Sequence, residues 1–226
     1  MRRFFALTAL MTIAALSSAQ TRSPRDGLQP LGDLVGTWRG TGAPIGSREE
    51  QQKGFWVESL ECGWKFKGTD AWLVLAFDKS KHYKAGELRY QTDKDRYQLS
   101  LTPLAGPAIV LHGELKNKIL TLTSEDEKDR LVFTLLHENR FLYRHERRAE
   151  GKTAYAKIFQ VGATKEGVPF AKGAGGPECV VTGGLGTSPV TYLGKTYYVC
   201  CSGCRDEFAA NPAMYVKEFE AKKAKK

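Results

Sequence analysis

Three of the chain's five cysteines fall within five positions of one another, in "GKTYYVCCSGCRDEFAANPAMYV" at residues 194–216. A fourth, Cys179, precedes them by about twenty residues, and Cys62 stands alone near the other end. Clustered thiols do one of three kinds of chemistry. They ligate a soft metal as thiolates, they cycle as a redox pair, or they close disulfides. An odd count in an exported chain leaves at least one thiol unpaired, bound to another chain, or on a metal. Cys179, Cys200 and Cys204, with Cys201 as a fourth ligand or near neighbour, are therefore the candidate metal ligands. A structural disulfide through Cys179 is the first competitor. A redox role for "CSGC" ranks last, because nothing around it forms a βαβ unit.

The elements that would position these thiols are short. Val190 to Tyr192 and Thr196 to Val199 are β-prone runs on either side of Leu193-Gly194-Lys195, which predicts a hairpin delivering Cys200 and Cys201 to one end. Ser202 is placed to cap a helix through Cys204 and Phe208. Pro212 fits the first turn of a last helix, from about Ala213 to Lys222. A thiol in a first helical turn gains thiolate character from the positive end of the helix. A unit of roughly 40 residues is near the lower limit for a self-supporting core, so a metal or crosslink would help hold it.

The spacing Cys179, then Cys200-x-x-x-Cys204, together with "GKTYYVCC" and "FAANPAMY", resembles the TRASH and YHS family of small metal-binding modules. The resemblance covers about residues 177–217. It implies a hairpin plus helix that binds a transition or heavy metal, copper or zinc in particular, for trafficking, buffering or sensing. Two departures matter. Where many members carry a second cysteine three residues after the first, this chain has Thr182, a poor ligand. The knuckle also has two readings, through Cys200 or, as Cys-x-x-Cys, through Cys201, and the family spacing uses Cys200.

From Leu34 to about Ala163 the pattern is different. Leu60, Cys62, Trp64 and Phe66 alternate with Glu61, Lys65 and Lys67, which predicts a half-buried strand. Turn residues at 92–95, 116–117, 138–139 and 150–151 separate further alternating runs. Roughly nine or ten strands and no convincing amphipathic helix predict a mainly β fold, an antiparallel barrel. Cys62 reads as a small apolar residue of its core. The opening strand carries "GTWRGTG" at residues 36–42, which resembles the G-x-W stretch of lipocalin-like barrels and, closer, that of nitrobindin-like ones. That likeness implies a cavity for a small apolar ligand, or haem on one histidine. Of His82, His112, His137 and His145, the candidate is His145, which shares the parity of Phe141 and Tyr143.

"MRRFFALTALMTIAALSSAQ" has the cationic start, short apolar run and small residues of a secretory signal peptide. The expected organisation is a signal peptide at 1–19, a linker at 20–33, the barrel at 34–163, a glycine-rich linker at 164–176 and the cysteine module at 177–222. The barrel is expected to fold without the module. No other segment is apolar enough to span a bilayer. The net charge of +9 is mostly scattered among acids, and only the tail "KEFEAKKAKK" is a positive run, so neither nucleic acid nor membrane binding is expected. No nucleophile–base pair, phosphate loop or paired carboxylates stand out, so no catalytic residue is assigned and the expected class is a periplasmic or secreted binding protein, not an enzyme. The intact mass of the protein from a cell envelope or secreted fraction should correspond to a chain starting at Gln20. An unprocessed chain in the cytosol would contradict this.

Overall fold

The computed structural model describes residues 22–137, 139–167 and 176–224. The expected signal peptide and most of the glycine-rich linker lie outside the described residues. Among the described residues, ten antiparallel strands form a closed barrel. They are β1 (Gly36–Pro44), β2 (Trp56–Lys67), β3 (Asp70–Asp78), β4 (Tyr83–Gln91), β5 (Arg96–Pro103), β6 (Ile109–Lys116), β7 (Ile119–Ser124), β8 (Asp129–His137), β9 (Arg140–Arg147) and β10 (Ala156–Lys165). Each pairs with the next, and β10 closes the ring on β1 with Trp38 opposite Lys165 and Gly42 opposite Val161. Closure removes the exposed edges that an open sheet would leave. The mainly β expectation and the alternation of Leu60, Cys62 and Trp64 are met: all three point into the core.

The interior explains the opening motif. Trp38 is buried, its ring meets Phe141 edge-on at 4.7 Å, and its indole N–H donates to the Leu34 carbonyl at 2.7 Å. Gly40 and Gly42 lie on the same inward face as Trp38. A Cβ on Gly42 would meet the Trp56 ring at 2.2 Å, and one on Gly40 would meet the Glu58 side chain at 3.0 Å. Glycine here makes room for neighbours on β2.

Two stretches depart from expectation. The described part of the expected N-terminal linker is structured: α1 (Pro24–Leu28) and a 3-10 turn (Gln29–Leu34) bury Leu28, Leu31 and Leu34 completely or nearly so. Their apolar spacing is short and interrupted by glycine and proline, which hides a helix from periodicity. These leucines pack into the same core cluster as Trp38 and Trp64, at the barrel end where β1 begins. A second short helix, α2 (Arg48–Gly54), interrupts the expected all-strand region. It buries none of its residues, and Ser47 and Glu50 close a capping box at its start. Local hydrogen bonds and not amphipathicity set this helix.

Beyond the barrel, β11 (Ser188–Tyr192) and β12 (Lys195–Val199) form the expected hairpin, with Leu193 and Gly194 both at positive φ in its turn. Helices α3 (Ser202–Ala210) and α4 (Pro212–Lys223) follow, the latter with proline in its first turn. The helix cap differs from expectation: the N-cap of α3 is Cys201, and Ser202 is already helical.

Candidate metal centre

The module rests against the barrel, and that contact sorts its thiols. Strand β2 pairs with β1 only as far as Cys62, opposite Gly36, and continues to Lys67 with β3 alone. The free flank of Trp64 meets the start of α3. Its backbone N–H donates to Cys201 Sγ at 3.4 Å, so the sulfur takes the place of a ladder carbonyl. Gly203 lies so close that a Cβ there would come 1.8 Å from the Trp64 carbonyl oxygen. The plug adds further ties. Gln29 Nε2 donates to the Thr182 carbonyl at 2.9 Å, and Arg25 pairs with Glu218 at 3.0 Å while lying over the Tyr215 ring. Barrel and module residues belong to one apolar cluster.

Cys179 reaches the knuckle through a tight turn. Its N–H donates to the Gly184 carbonyl, its own carbonyl accepts from Gly183, and Gly183 supplies the positive φ the turn requires. Val180 N–H donates to the Tyr198 carbonyl, which fastens this turn to β12 beside Cys200.

The result is a buried triangle of sulfur. The Sγ atoms of Cys179, Cys200 and Cys204 all lie within 4.8 Å of one another, with Cys200 and Cys204 at 3.4 Å. Cys179 and Cys204 are fully buried and Cys200 is 9% exposed. These separations are far beyond an S–S bond of about 2.05 Å, and none of the five cysteines is in a disulfide. They suit sulfurs sharing one ion at about 2.3 Å, whose tetrahedral S–S edge is about 3.8 Å. The donor set of three thiols in a dry pocket therefore fits a soft metal ion.

Cys201 stands apart from the triangle. Its sulfur is 4.0 Å from Cys200 Sγ but is directed to the Trp64 amide, and it is less buried than the other three. The fourth side chain facing the triangle is Thr182. Its hydroxyl lies 3.6 Å from Cys200 Sγ and 4.0 Å from Cys204 Sγ. Thr182 is 5% exposed. The position three after Cys179, read from the sequence as a departure and a poor ligand, thus faces the site with oxygen and not sulfur.

Crowding makes the thiols share protons. Hydrogen bonds from Cys200 and then Cys204 hold the Cys179 thiol far below its usual range, while Cys200 and Cys204, which donate them, are held above theirs. Hydrogen bonding with Cys200 also lowers the Cys201 thiol. Cys62, sealed in the barrel, behaves oppositely: burial pushes its thiol up to about 12, as befits an inert core residue.

The histidine candidate lies elsewhere. His145 faces the inward side beside Phe159, 5.5 Å between ring centres, and its Nε2 is 2.7 Å from Asp129 Oδ1. His82 stacks on Phe159 at 3.8 Å. Glu58, unforeseen from the sequence, is buried in the same half of the barrel, accepting from the Trp56 indole at 2.7 Å and from the Tyr143 hydroxyl. Its signal was present, since it shares the parity of Leu60 two positions later. His112 contacts Gln98, and His137 ends β8. The clefts described on the surface, lined by Ala43, Arg48 and Phe55 or by His112, Lys116 and Thr121, lie outside both groups. No protein-family model matches the chain, and no curated protein matches it.

The contact at Gly203 yields a direct test. Gly203→Ala should destabilise the full chain by about 1–3 kcal/mol, the usual cost of forcing an extra methyl into a packed contact, and should shift the Trp64 amide resonance. Unchanged urea unfolding and an unmoved Trp64 signal would contradict the docking of α3 on β2.

Proposed function

We propose that this protein is an exported metal-binding protein that holds one thiophilic ion, copper or zinc, through Cys179, Cys200 and Cys204. The observation that carries this reading is the convergence of three buried thiols from a turn, a strand end and a helix start onto one point. Several sulfur donors held at short range in this way are suited to a soft cation. The hairpin, the Cys-x-x-x-Cys knuckle and the Asn-Pro helix start support a module of the TRASH/YHS type. The N-terminal leader supports action in the periplasm or outside the cell, in metal trafficking, buffering or sensing.

A bound ion would supply a cationic centre, held by the thiolates of Cys179, Cys200 and Cys204. The chain's own residues do the rest. The turn at Gly183 and the bridge to β12 bring Cys179 to the knuckle. Burial keeps competing water off the sulfurs. Each thiol that ligates releases its proton, so affinity falls as pH falls. The barrel serves as the support on which this module is held. The alternative is a haem or small apolar ligand carried in the barrel, where Trp38, Phe141, Tyr143 and Phe159 are buried and His145 is paired with Asp129.

The test uses the full mature chain, reduced and purified without affinity-resin metal. It should bind one equivalent of cuprous ion or Zn2+ with proton release. Cys179→Ser, Cys200→Ser and Cys204→Ser should each weaken binding by about 100-fold or more, beyond what losing a hydrogen-bond partner of a ligand usually costs. Cys201→Ser should cost less than about tenfold, and Cys62→Ser should cost nothing. Reduced protein that ignores both ions, with air-oxidised protein equally folded and two thiols lost, would make the cysteines a staple instead.

A further inference from the structure

The reading above leaves open which soft ion the site prefers, and the residue that faces all three sulfurs bears on that choice. A tetrahedral ion with sulfur arms of about 2.3 Å and an oxygen arm of about 2.1 Å has sulfur–oxygen edges of about 3.6 Å. The Thr182 hydroxyl lies 3.6 Å from Cys200 Sγ and 4.0 Å from Cys204 Sγ, and Thr182 belongs to the turn that carries Cys179. It therefore stands at the fourth corner. Cys201, the one other thiol of the knuckle, is held away from that corner by the Trp64 amide. Thr182 is itself fixed from behind, through its carbonyl to Gln29 and through the turn that joins it to Cys179.

We propose that Thr182 is the specificity-determining residue of this site, and that its hydroxyl biases the three-thiol group toward cuprous ion over Zn2+. The proposal rests on the three-thiol reading and goes on to name the ion. Zn2+ in closed protein sites takes four strong donors drawn from thiolate, imidazole and carboxylate. A neutral hydroxyl in a buried corner is a weak substitute. Cuprous ion is satisfied by thiolates alone and by fewer of them. A monovalent ion also leaves more negative charge on the sulfurs, and the Thr182 hydroxyl, placed to donate to Cys200 Sγ, stabilises that charge. Binding remains simple ligation: each sulfur that joins the ion as thiolate gives its proton to solvent, and the ion is supplied already in the cuprous state.

The experiment compares full-length wild type with Thr182→Cys, Thr182→Ser and Thr182→Val. Cuprous and Zn2+ affinities are measured by chelator competition under reductant, and Co2+ serves as the optical probe of coordination. Thr182→Cys should raise Zn2+ affinity relative to cuprous affinity by at least about tenfold. It should also give an intense tetrahedral cobalt spectrum with an added sulfur charge-transfer band. Thr182→Ser keeps the hydroxyl and should keep the wild-type preference. Thr182→Val removes the hydroxyl donor and should weaken cuprous binding by about tenfold. A wild-type chain that prefers Zn2+, or a Zn2+-to-cuprous ratio that is unchanged in Thr182→Cys, overturns the proposal while leaving the three-thiol site standing. Wild type that binds neither ion fails the three-thiol reading itself.

Discussion

The Trp64 backbone N–H has no strand partner on its outer side, because β2 runs on after β1 has ended. A backbone donor in a packed interface has to find an acceptor. Here it finds the sulfur of Cys201. That one contact decides the roles of two adjacent cysteines, for a sulfur spent on the barrel is turned from the triangle, and the neighbouring Cys200 is turned into it. It also fixes where α3 starts, and thus where Cys204 stands. Gly203, the one residue type that tolerates contact with the Trp64 carbonyl, lets the helix approach closely enough for this.

The candidate metal centre is in this sense built on the barrel and not beside it. Thr182 is tied to the plug through Gln29, Cys201 to β2 through Trp64, and α4 to α1 through Arg25 and Glu218. The leucines of α1 and the following turn close one end of the barrel and present the polar side chains that grip the module. The part-buried ion pair between Arg25 and Glu218 makes a modest contribution. The larger contribution comes from the apolar cluster that runs from the barrel core through Val180, Val181 and Val199 to Phe208 and Tyr215.

Much of this was legible in residue order. Alternation placed Leu60, Cys62 and Trp64 on the inward face, the glycines around Trp38 announced close packing, the turn at 92–95 falls between strands as read, and the one read at 116–117 lies one residue later, after Lys116 ends β6. Cysteine spacing also brought together the three thiols that the structure converges. What was hidden depends on contacts distant in sequence. Parity cannot show that Cys201 faces Trp64, nor that α1 folds back onto the barrel end, because each is decided by a partner far along the chain. The cap of α3 was misplaced by one residue for a related reason. Ser202 is the better intrinsic cap, but the Trp64 amide holds Cys201 in the capping position. Glu58 escaped notice because an acid on an inward face breaks the hydrophobic pattern, and only its partners Trp56 and Tyr143 make it tolerable.

The central claim is that three sulfurs of one chain share a single ion. X-ray absorption at the metal edge, on reduced full-length protein carrying one equivalent of cuprous ion, tests it most directly. The account predicts a shell of three sulfurs at about 2.3 Å and no outer scattering from imidazole. A first shell of nitrogen with imidazole scattering, or metal spread over several sites, would contradict it.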